Sequence, residues 1–328
     1  MKQENIKNEA SVIVVTYNSD ARKTLCTLNS ILMQTDVIFN IVIADDGSEE
    51  NNFEAIKQFF ASRNFDNYTL VANGKNQGTV KNLISAMPHV NAPYVKTISP
   101  ADYLYEPQTL RKSLDFMHAH KKCDLMFGQT VYYSHEDFFV INENGRNPEQ
   151  PEIYDPSKYI AKKAINHIID GRDFILGAAM FYKTSTLDSC LNLLKDRIIL
   201  CEDTSQQIIA LQGGVINKID DYVVWYEYGT GISTPNADPK ENKLTADAIT
   251  FYKMAMDLWP EHKQRFKRAM RIWDCITYSK RIPYIYNRLT SASHIKYLAT
   301  YNIKRLQRNK SIKPKPNLDL YSAITQID

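Results

Sequence analysis

Two stretches decide the fold, SVIVVTYNSD at residues 11–20 and FNIVIADDGSEE at residues 39–50. Each begins as a short, β-branched apolar run and stops abruptly at polar residues, which is typical of a buried parallel strand. Between them, residues 21–34 carry apolar side chains at a helical spacing. The order strand, helix, strand predicts a crossover that places both strand ends at one edge of a sheet, where open α/β proteins bind ligands.

The residues that end these two strands have the chemistry of a nucleoside site. Tyr17 follows the first strand and Asp46 follows the second. An aromatic ring can stack on a base, and a carboxylate can accept a hydrogen bond from a base or a ribose. The sequence therefore predicts an α/β domain that binds a nucleotide at the edge of its sheet.

Length, cysteines and hydropathy limit the class of protein. The 328 residues exceed the usual size of one domain without requiring a second core. Five scattered cysteines without a CxxC pair indicate neither a disulfide framework nor a zinc site. The first ten residues are too polar for a signal peptide, and no apolar run reaches the roughly 18 residues of a membrane helix. We expect a cytoplasmic protein that meets a membrane only as a peripheral protein, on the inner face of the cell membrane.

The charge is distributed unevenly along the chain. Residues 1–260 hold 25 Lys and Arg against 33 Asp and Glu, whereas residues 261–328 hold 15 against 4. The basic tail also contains the aromatic residues Phe266, Trp273, Tyr278, Tyr284, Tyr286, Tyr297 and Tyr301. This composition suits an anionic bilayer surface. It is equally compatible with nucleic-acid binding or with a solvated helical face, because charge runs alone are not specific.

Two further predicted strands are followed by polar loops. After residues 68–72 comes NGKNQGTVKN, where the start of a helix would offer backbone N–H groups and the charge of Lys81 to a phosphate. The alternative is a simple turn with Gly78 in a left-handed conformation. After residues 94–98 comes SPADYLYEP, in which the carboxylate of Asp102 could hold a hard divalent cation.

A pair of carboxylates lies in RIILCEDTSQQIIALQGG, residues 197–214. An apolar run ends at Glu202 and Asp203, and a helix is predicted to follow. Asp203 with Gln206 matches a capping box, which requires no catalytic role. The alternative is that Asp203 is a general base that accepts a proton from a hydroxyl group.

In this order, VVTYN, IADDGS, NQGTVKN, SPADYL and LCEDTSQQ resemble the inverting glycosyltransferases of family 2, over about residues 10–235. The resemblance implies an α/β protein with the GT-A fold, a mixed and mostly parallel sheet flanked by helices, over residues 1–240. A helical, basic and aromatic-rich C-terminal region would span residues 241–328. The implied reaction moves a sugar from a nucleotide-diphospho-sugar, most often a UDP-sugar, to a hydroxyl of a saccharide or lipid-linked saccharide. We expect a role in cell-surface polysaccharide synthesis, such as that of a capsule, and no nucleic-acid partner.

The resemblance also assigns roles on the donor side. Tyr17 would stack on the base and Asp46 would bond it. The other nucleotide-binding residues would be Val15, Thr16, Lys81 and Ala101. Asp102 would match the last carboxylate of the family's DxD motif and hold Mn²⁺ or Mg²⁺. Here the chain departs from the pattern, because Ser99 or Pro100 replaces the first Asp and Ala101 the middle residue, so weaker metal binding is expected.

On the acceptor side, Asp203 would be the general base, kept ionised by the amino end of its helix. Glu202 would orient the acceptor or the backbone. Gly177 would leave room for a sugar, or it would merely permit close packing. A loop containing Gly231 and Ser233 would close on the diphosphate, or it would be an ordinary turn. A polar stretch at residues 135–155 would form a surface loop over the acceptor.

Other classes of protein fit less well. A sugar nucleotidyltransferase would share the nucleotide-binding edge, but it usually has a Gly-rich basic loop where this chain has TYNSDA. A binding module that has lost catalysis is favoured by the reduced DxD motif. Dinucleotide oxidoreductases and P-loop enzymes are disfavoured, because the chain contains neither G-x-G-x-x-G after a strand nor G-x-x-x-x-G-K-[ST].

Overall fold

The computed structural model of the chain describes residues 7–134, 148, 150–170, 174–229, 243–277, 295 and 316–327. These residues form an eight-stranded sheet with helices on both faces. The strands are β1 Ala10–Thr16, β2 Phe39–Asp45, β3 Tyr68–Ala72, β4 Tyr94–Ile98, β5 Tyr103–Leu104, β6 Cys123–Tyr133, β7 Met180–Lys183 and β8 Val215–Glu227. Their order across the sheet is β3-β2-β1-β4-β7-β6-β8-β5.

The helices of the described residues are numbered here in chain order. They are α1 Ala21–Leu32, α2 Phe53–Ser62, α3 Thr79–Ala86, α4 Thr109–Ala119, α5 Ala161–Ile165, α6 Thr184–Leu194, α7 Ser205–Leu211, α8 Lys243–Leu258, α9 Lys263–Thr277 and α10 Leu318–Thr325. None of them has the length and hydropathy of a helix that crosses a membrane.

The predicted parallel half of the sheet is confirmed. β1 pairs in parallel with β2 and β4, and β2 pairs in parallel with β3. The register sets Thr16 opposite Asp45, so β1 and β2 end at the same level. Gly177–Ala179 forms a 3₁₀ turn, and β7 follows it and pairs antiparallel with β4 and β6.

Side chains on the two faces of β1 enter two different hydrophobic clusters. Val12 and Val14 pack with apolar residues of α1, α2 and α4, whereas Ile13 belongs to the cluster that includes α3, α6 and α7. Phe251 of α8 and Phe266 of α9 belong to this second cluster as well. The described helices at residues 243–277 therefore share a core with the sheet.

Hydrogen bonds join the two loops that follow β1 and β2. Asp45 Oδ1 accepts from the hydroxyls of Thr16 at 3.0 Å and Ser48 at 2.6 Å. The Ser48 hydroxyl in turn accepts the backbone N–H of Asn18 at 2.7 Å. These bonds hold the residues on both sides of Tyr17, so the ends of two strands set the position of the Tyr17 backbone.

Several sequence predictions concern residues outside the described ranges. They include most of the proposed acceptor loop at residues 135–155, the glycine loop with Gly231 and Ser233, and most of the basic tail beyond residue 277. The tail tyrosines Tyr278, Tyr284, Tyr286, Tyr297 and Tyr301 are among these residues.

Gly78→Ala should destabilise the protein. The backbone at Gly78 has φ +90°, and a Cβ there would lie 2.3 Å from Ile199 Cγ2 and 2.5 Å from Ile199 O. The positive φ with an extended ψ of 164° should alone cost alanine about 1–3 kcal/mol, and the contact with a backbone oxygen adds to this. Urea unfolding measures the change in the free energy of unfolding.

Gly74→Ala is the matched control in the same loop. A Cβ at Gly74 would meet no atom within 4 Å, so this variant should unfold like the wild type. Equal stability of the two variants would contradict the described contact between the Gly78 turn and Ile199.

Candidate functional site

A cavity of about 860 Å³ opens at the carboxyl ends of β1, β2 and β4. The structure brings most of the sequence-predicted site residues to its wall. They are Val15, Thr16, Tyr17, Asp46, Ala101, Asp102, Gly177, Glu202 and Asp203. Parallel strands that end at one edge explain this convergence, since the loops after β1, β2 and β4 must lie side by side.

Tyr17 and Asp46 both line the cavity at this edge but differ in exposure. The Tyr17 side chain lines the cavity and remains 48% exposed, which suits a ring that stacks on a ligand. Asp46 is buried, and its two carboxylate oxygens accept the backbone N–H groups of Gln77 at 2.9 Å and Gly78 at 2.7 Å. Burial raises the pKa of Asp46, although these two bonds oppose the rise. Asp46 therefore holds the loop before α3 as well as lining the cavity.

Three backbone N–H groups at the start of α3 already have acceptors within the protein, and a phosphate contact at this loop stays a prediction. The N–H groups of Gln77 and Gly78 are bonded to Asp46, and that of Val80 donates to Ile199 O at 3.0 Å. Lys81 is exposed and does not line the cavity, because the buried neighbours Val80 and Leu83 turn it to the solvent face of α3. The alternative prediction, a turn with Gly78 in a left-handed conformation, is confirmed.

A lysine that the sequence analysis missed reaches the cavity from α1. Lys23 lines the cavity, and its Nζ lies 2.7 and 3.0 Å from the two carboxylate oxygens of Glu227 at the end of β8. Asp20, the N-cap of α1, accepts the backbone N–H of Lys23 at 2.8 Å. The polar residues before α1 were the only sequence signal for a functional Lys23. Its partner Glu227 lies 204 positions away, so no local pattern indicates the pair.

Asp102 lies in a tight turn after β4. The turn is fixed by Thr27 of α1, whose hydroxyl accepts the N–H of Ala101 at 3.1 Å and donates to Asp102 O at 3.0 Å. Ala101 has φ +74°, a left-handed conformation that is strained for alanine. Burial raises the pKa of Asp102 to about 8, while a hydrogen bond from the Glu227 backbone and the charge of Lys96 lower it.

Lys96 is a buried cation on β4 that the sequence analysis also missed. Its Nζ donates to Thr97 O at 2.8 Å and to Ala178 O at 2.6 Å. Burial lowers the pKa of Lys96 to about 7, and the charge of Asp102 opposes this. Lys96 thus links the central strand to the turn that contains Gly177.

The residues around Asp102 could hold a divalent cation only if water or a bound diphosphate supplied most of its ligands. A buried carboxyl with a raised pKa becomes more stable when a cation compensates its charge, and Asp102 lines the cavity. Among the described residues, however, no cluster of three His, Cys, Asp or Glu side chains could hold a metal by itself. The remaining ligands of a Mn²⁺ or Mg²⁺ ion would have to come from water or from the oxygens of a bound diphosphate.

Glu202 and Asp203 lie in the 3₁₀ turn Glu202–Thr204 and line the cavity beside Gly177. A Cβ on Gly177 would lie 3.4 Å from Glu202 Oε1 and 3.6 Å from Asp203 Cβ. Burial raises the pKa of both carboxyls, and their mutual repulsion adds to the rise for Glu202. For Asp203, desolvation outweighs the backbone hydrogen bonds, which lower its pKa. That the start of the helix keeps this carboxylate ionised stays a prediction.

The capping-box interpretation of Asp203 is wrong. Thr204 occupies the N-cap of α7, and no side chain caps that helix. The Gln206 side chain instead accepts from Ile175 N at 2.8 Å and donates to Ile175 O at 3.1 Å and Asp203 O at 3.0 Å. Gln206 thereby fixes the backbone of Asp203 to the segment before Gly177.

The side of the cavity beyond Asp203 is lined by the C-terminal helices. Leu244, Phe251 and Tyr252 of α8 and Trp273 of α9 belong to its wall. Trp273 Nε1 donates to Tyr252 Oη at 3.4 Å. Sequence reasoning assigned Trp273 only to a basic aromatic tail, because the spacing of aromatic residues on a helix does not show what that helix packs against.

The chain is similar to known proteins in sequence and in fold. The sequence model described as "Glycosyl transferase family 2" matches residues 11–184. The uncharacterized glycosyltransferase MJ1057 of Methanocaldococcus jannaschii is 21% identical over 308 residues, which cover 94% of this chain and 98% of that protein.

Two solved structures share the fold. S. aureus TarS 1-349 in complex with UDP-GlcNAc has a TM-score of 0.55 and 17% identity, over 85% of this chain and 79% of that chain. Mannosyltransferase PcManGT of Pyrobaculum calidifontis, in complex with GDP-Man and Mn²⁺, has a TM-score of 0.58 and 15% identity, over 92% and 81%. The predicted GT-A fold is confirmed.

Asp203→Asn should stabilise the protein at pH 8. A carboxyl whose pKa is higher in the folded than in the unfolded state loses stability as the pH rises between those two values. The asparagine removes this loss, so its advantage should be clear at pH 8 and should shrink toward pH 4. Thermal unfolding across this pH range measures the difference.

Asp188→Asn provides the control, since Asp188 of α6 is exposed. Its effect on unfolding should not grow with pH in the same way. An Asp203→Asn variant that is no more stable than the wild type at pH 8 would contradict the raised pKa of the partly buried Asp203 carboxyl.

Proposed function

The chain belongs to glycosyltransferase family 2, and from that premise we propose that it transfers a sugar from a nucleotide-diphospho-sugar to an acceptor hydroxyl with inversion at the anomeric carbon. One observation carries the proposal. Tyr17, Asp46, Asp102 and Asp203 come from distant parts of the chain and line a single cavity. Such a cavity can hold a base, a diphosphate and an attacking alcohol at the same time.

On the donor side, Tyr17 stacks on the base, while Asp46 and the backbone at Val15 and Thr16 bond it. Each Asp46 oxygen already accepts one backbone N–H and has a second lone pair for a donor on the base. A uridine diphosphate sugar is the proposed donor. TarS with UDP-GlcNAc and PcManGT with GDP-Man support the class of nucleotide sugars and leave the base to experiment.

Asp102 is the proposed residue that holds Mn²⁺ or Mg²⁺, as the Mn²⁺ complex of PcManGT supports for the fold. When bound, such an ion neutralises charge on the leaving diphosphate. Of the chain's own residues, Lys23 rather than Lys81 is proposed to supply the positive charge near the diphosphate. Its contact with Glu227 keeps the ammonium group at the cavity wall, where it can attract a diphosphate.

Asp203 is the proposed general base. A sugar hydroxyl is a weak nucleophile, so Asp203 takes its proton as the oxygen attacks the anomeric carbon and the bond to the diphosphate breaks on the opposite face. The sugar is transferred once, and its configuration inverts. The raised pKa of Asp203 makes it a stronger base than an exposed aspartate. Glu202, at the same wall, is proposed to orient the acceptor.

The proposed acceptor is a saccharide or a lipid-linked saccharide in the synthesis of a surface polysaccharide such as a capsule. The aromatic wall of α8 and α9 supports a sugar or lipid-linked acceptor, because aromatic faces pack against the apolar faces of such molecules. Lys263, Lys267 and Arg271 are exposed on α9 and support contact with an anionic membrane surface from the cytoplasmic side.

A catalytically weakened nucleotide-sugar-binding module is the second candidate. It is favoured by the reduced DxD motif, in which Ser99 or Pro100 stands where the family has the first Asp. It differs from the enzyme in one measurable respect, since it would bind the donor without transferring the sugar.

Donor binding and transfer should separate in Asp203→Asn. A thermal-shift screen of nucleotide sugars, with and without Mn²⁺, should give the largest shift with uridine diphosphate conjugates, because a ligand of the native state raises its stability. The variant should keep this shift and lose sugar transfer. Asp188→Asn should keep both. Turnover unchanged in Asp203→Asn would place the base elsewhere, and binding without transfer in the wild type would favour the weakened module.

Tyr17→Ala should weaken donor binding through the loss of base stacking. Stacking on an aromatic ring contributes about 1–3 kcal/mol per base, so Kd for UDP should rise about 5- to 150-fold in calorimetry. Tyr17→Phe keeps the ring and should bind like the wild type. If both variants bind equally well, the base does not lie on this ring.

A further inference from the structure

The loop at residues 198–201, immediately before Glu202 and Asp203, is held by a carboxylate of α8. Asp247 Oδ2 accepts the backbone N–H of Leu200 at 2.6 Å and that of Cys201 at 3.1 Å. The N–H of Ile199 lies 3.1 and 3.2 Å from its two oxygens. Three successive backbone donors therefore converge on one buried side chain.

The same loop is held from the donor side. Val80 at the start of α3 donates its N–H to Ile199 O at 3.0 Å. Gly78, which has no Cβ, leaves the space that Ile199 occupies. Gly78 is in turn held by Asp46 at 2.7 Å. The loop is thus fixed on one side by the nucleotide-binding edge and on the other by α8.

Beyond the loop, the chain has little freedom before it reaches Asp203. Glu202 N donates to Leu200 O at 3.0 Å, and Thr204 N donates to Cys201 O at 3.2 Å. Gln206 holds the carbonyl of Asp203 at 3.0 Å. A shift of residues 199–201 would therefore be passed directly to the turn that carries Asp203.

We propose that Asp247 is a positioning residue for Asp203, whose buried carboxylate fixes the loop that sets the place and direction of the base. The proposal rests on the proposed function of Asp203. Asp247 touches neither donor nor acceptor in this assignment. This role is consistent with the packing of α8 in the hydrophobic core of the sheet. A helix that positions Asp203 must itself be held in place.

Asp247→Ala should lower kcat about 100-fold, since a misplacement of a catalytic group by about 1 Å has an effect of that size. The affinity for the donor, measured by thermal shift or calorimetry with UDP, should remain within about twofold of the wild type. Asp247→Asn keeps one carbonyl oxygen for the loop and should recover part of the lost kcat. A loss of kcat together with an equal loss of donor affinity would overturn the proposal.

Asp124→Asn is the matched control. Asp124 also accepts a backbone N–H, from Val215 at 2.9 Å, and a contact from Lys183 at 3.0 Å, but it lies at the start of β6 and does not line the cavity. Its replacement should lower the unfolding temperature and leave kcat unchanged. If Asp124→Asn lowers kcat as Asp247→Asn does, general destabilisation explains both effects and the positioning role is rejected.

Hydrogen exchange tests the loop without any assay of transfer. The amides of residues 199–201 should exchange slowly in the wild type and at least about tenfold faster in Asp247→Ala, while the amides of β1 stay protected. Unchanged exchange in the loop would overturn the proposal even if kcat falls. If the wild type transfers no sugar but the loop loosens as expected, the proposed function fails and the structural role of Asp247 stands.

Discussion

Hydrogen bonds from loop backbone to buried carboxylates decide where the functional groups of this glycosyltransferase lie. The loops at the carboxyl edge of the sheet have N–H groups that no strand can accept, and buried donors of this kind need partners. Asp45, Asp46 and Asp247 supply them. Each carboxylate is itself acceptable in the interior only because these donors surround it. Several loops of the cavity wall are thereby held by hydrogen bonds to side chains from other parts of the chain.

Much of the fold could be predicted from local sequence. The β-branched runs that form β1 and β2 are buried on both faces, and such runs end where polar residues begin. β7 could be predicted only in part, because a four-residue strand between β4 and β6 depends on its neighbours more than on its own residues. The apolar run at residues 198–201 resembles a strand but forms a loop, since Asp247 and Val80 satisfy its backbone groups.

The candidate site was predictable where it depends on strand ends and unpredictable where it depends on side chains that meet across the fold. Tyr17, Asp46 and Asp102 follow strands, so the topology alone brings them together. The exposed position of Lys81 was not predictable, because the sequence of a loop before a helix does not show which face of the helix the following residues occupy. The pairing of Lys23 with Glu227 joins residues that are far apart in sequence, and only the folded chain reveals it.

The last described helix has a consequence for the donor side of the protein. Tyr321 of α10 packs its ring against Tyr103, Tyr133 and Trp225, with ring centroids 5.0 to 5.9 Å apart, and the Tyr133 hydroxyl donates to Ala101 O. The rear support of the Asp102 turn is therefore a layer of packed aromatic rings, which Tyr321 of α10 completes with tilted and edge-on contacts. Shortening the polypeptide before residue 318 would expose that layer to water and loosen the turn from behind, although every residue proposed to bind the sugar nucleotide would still be present.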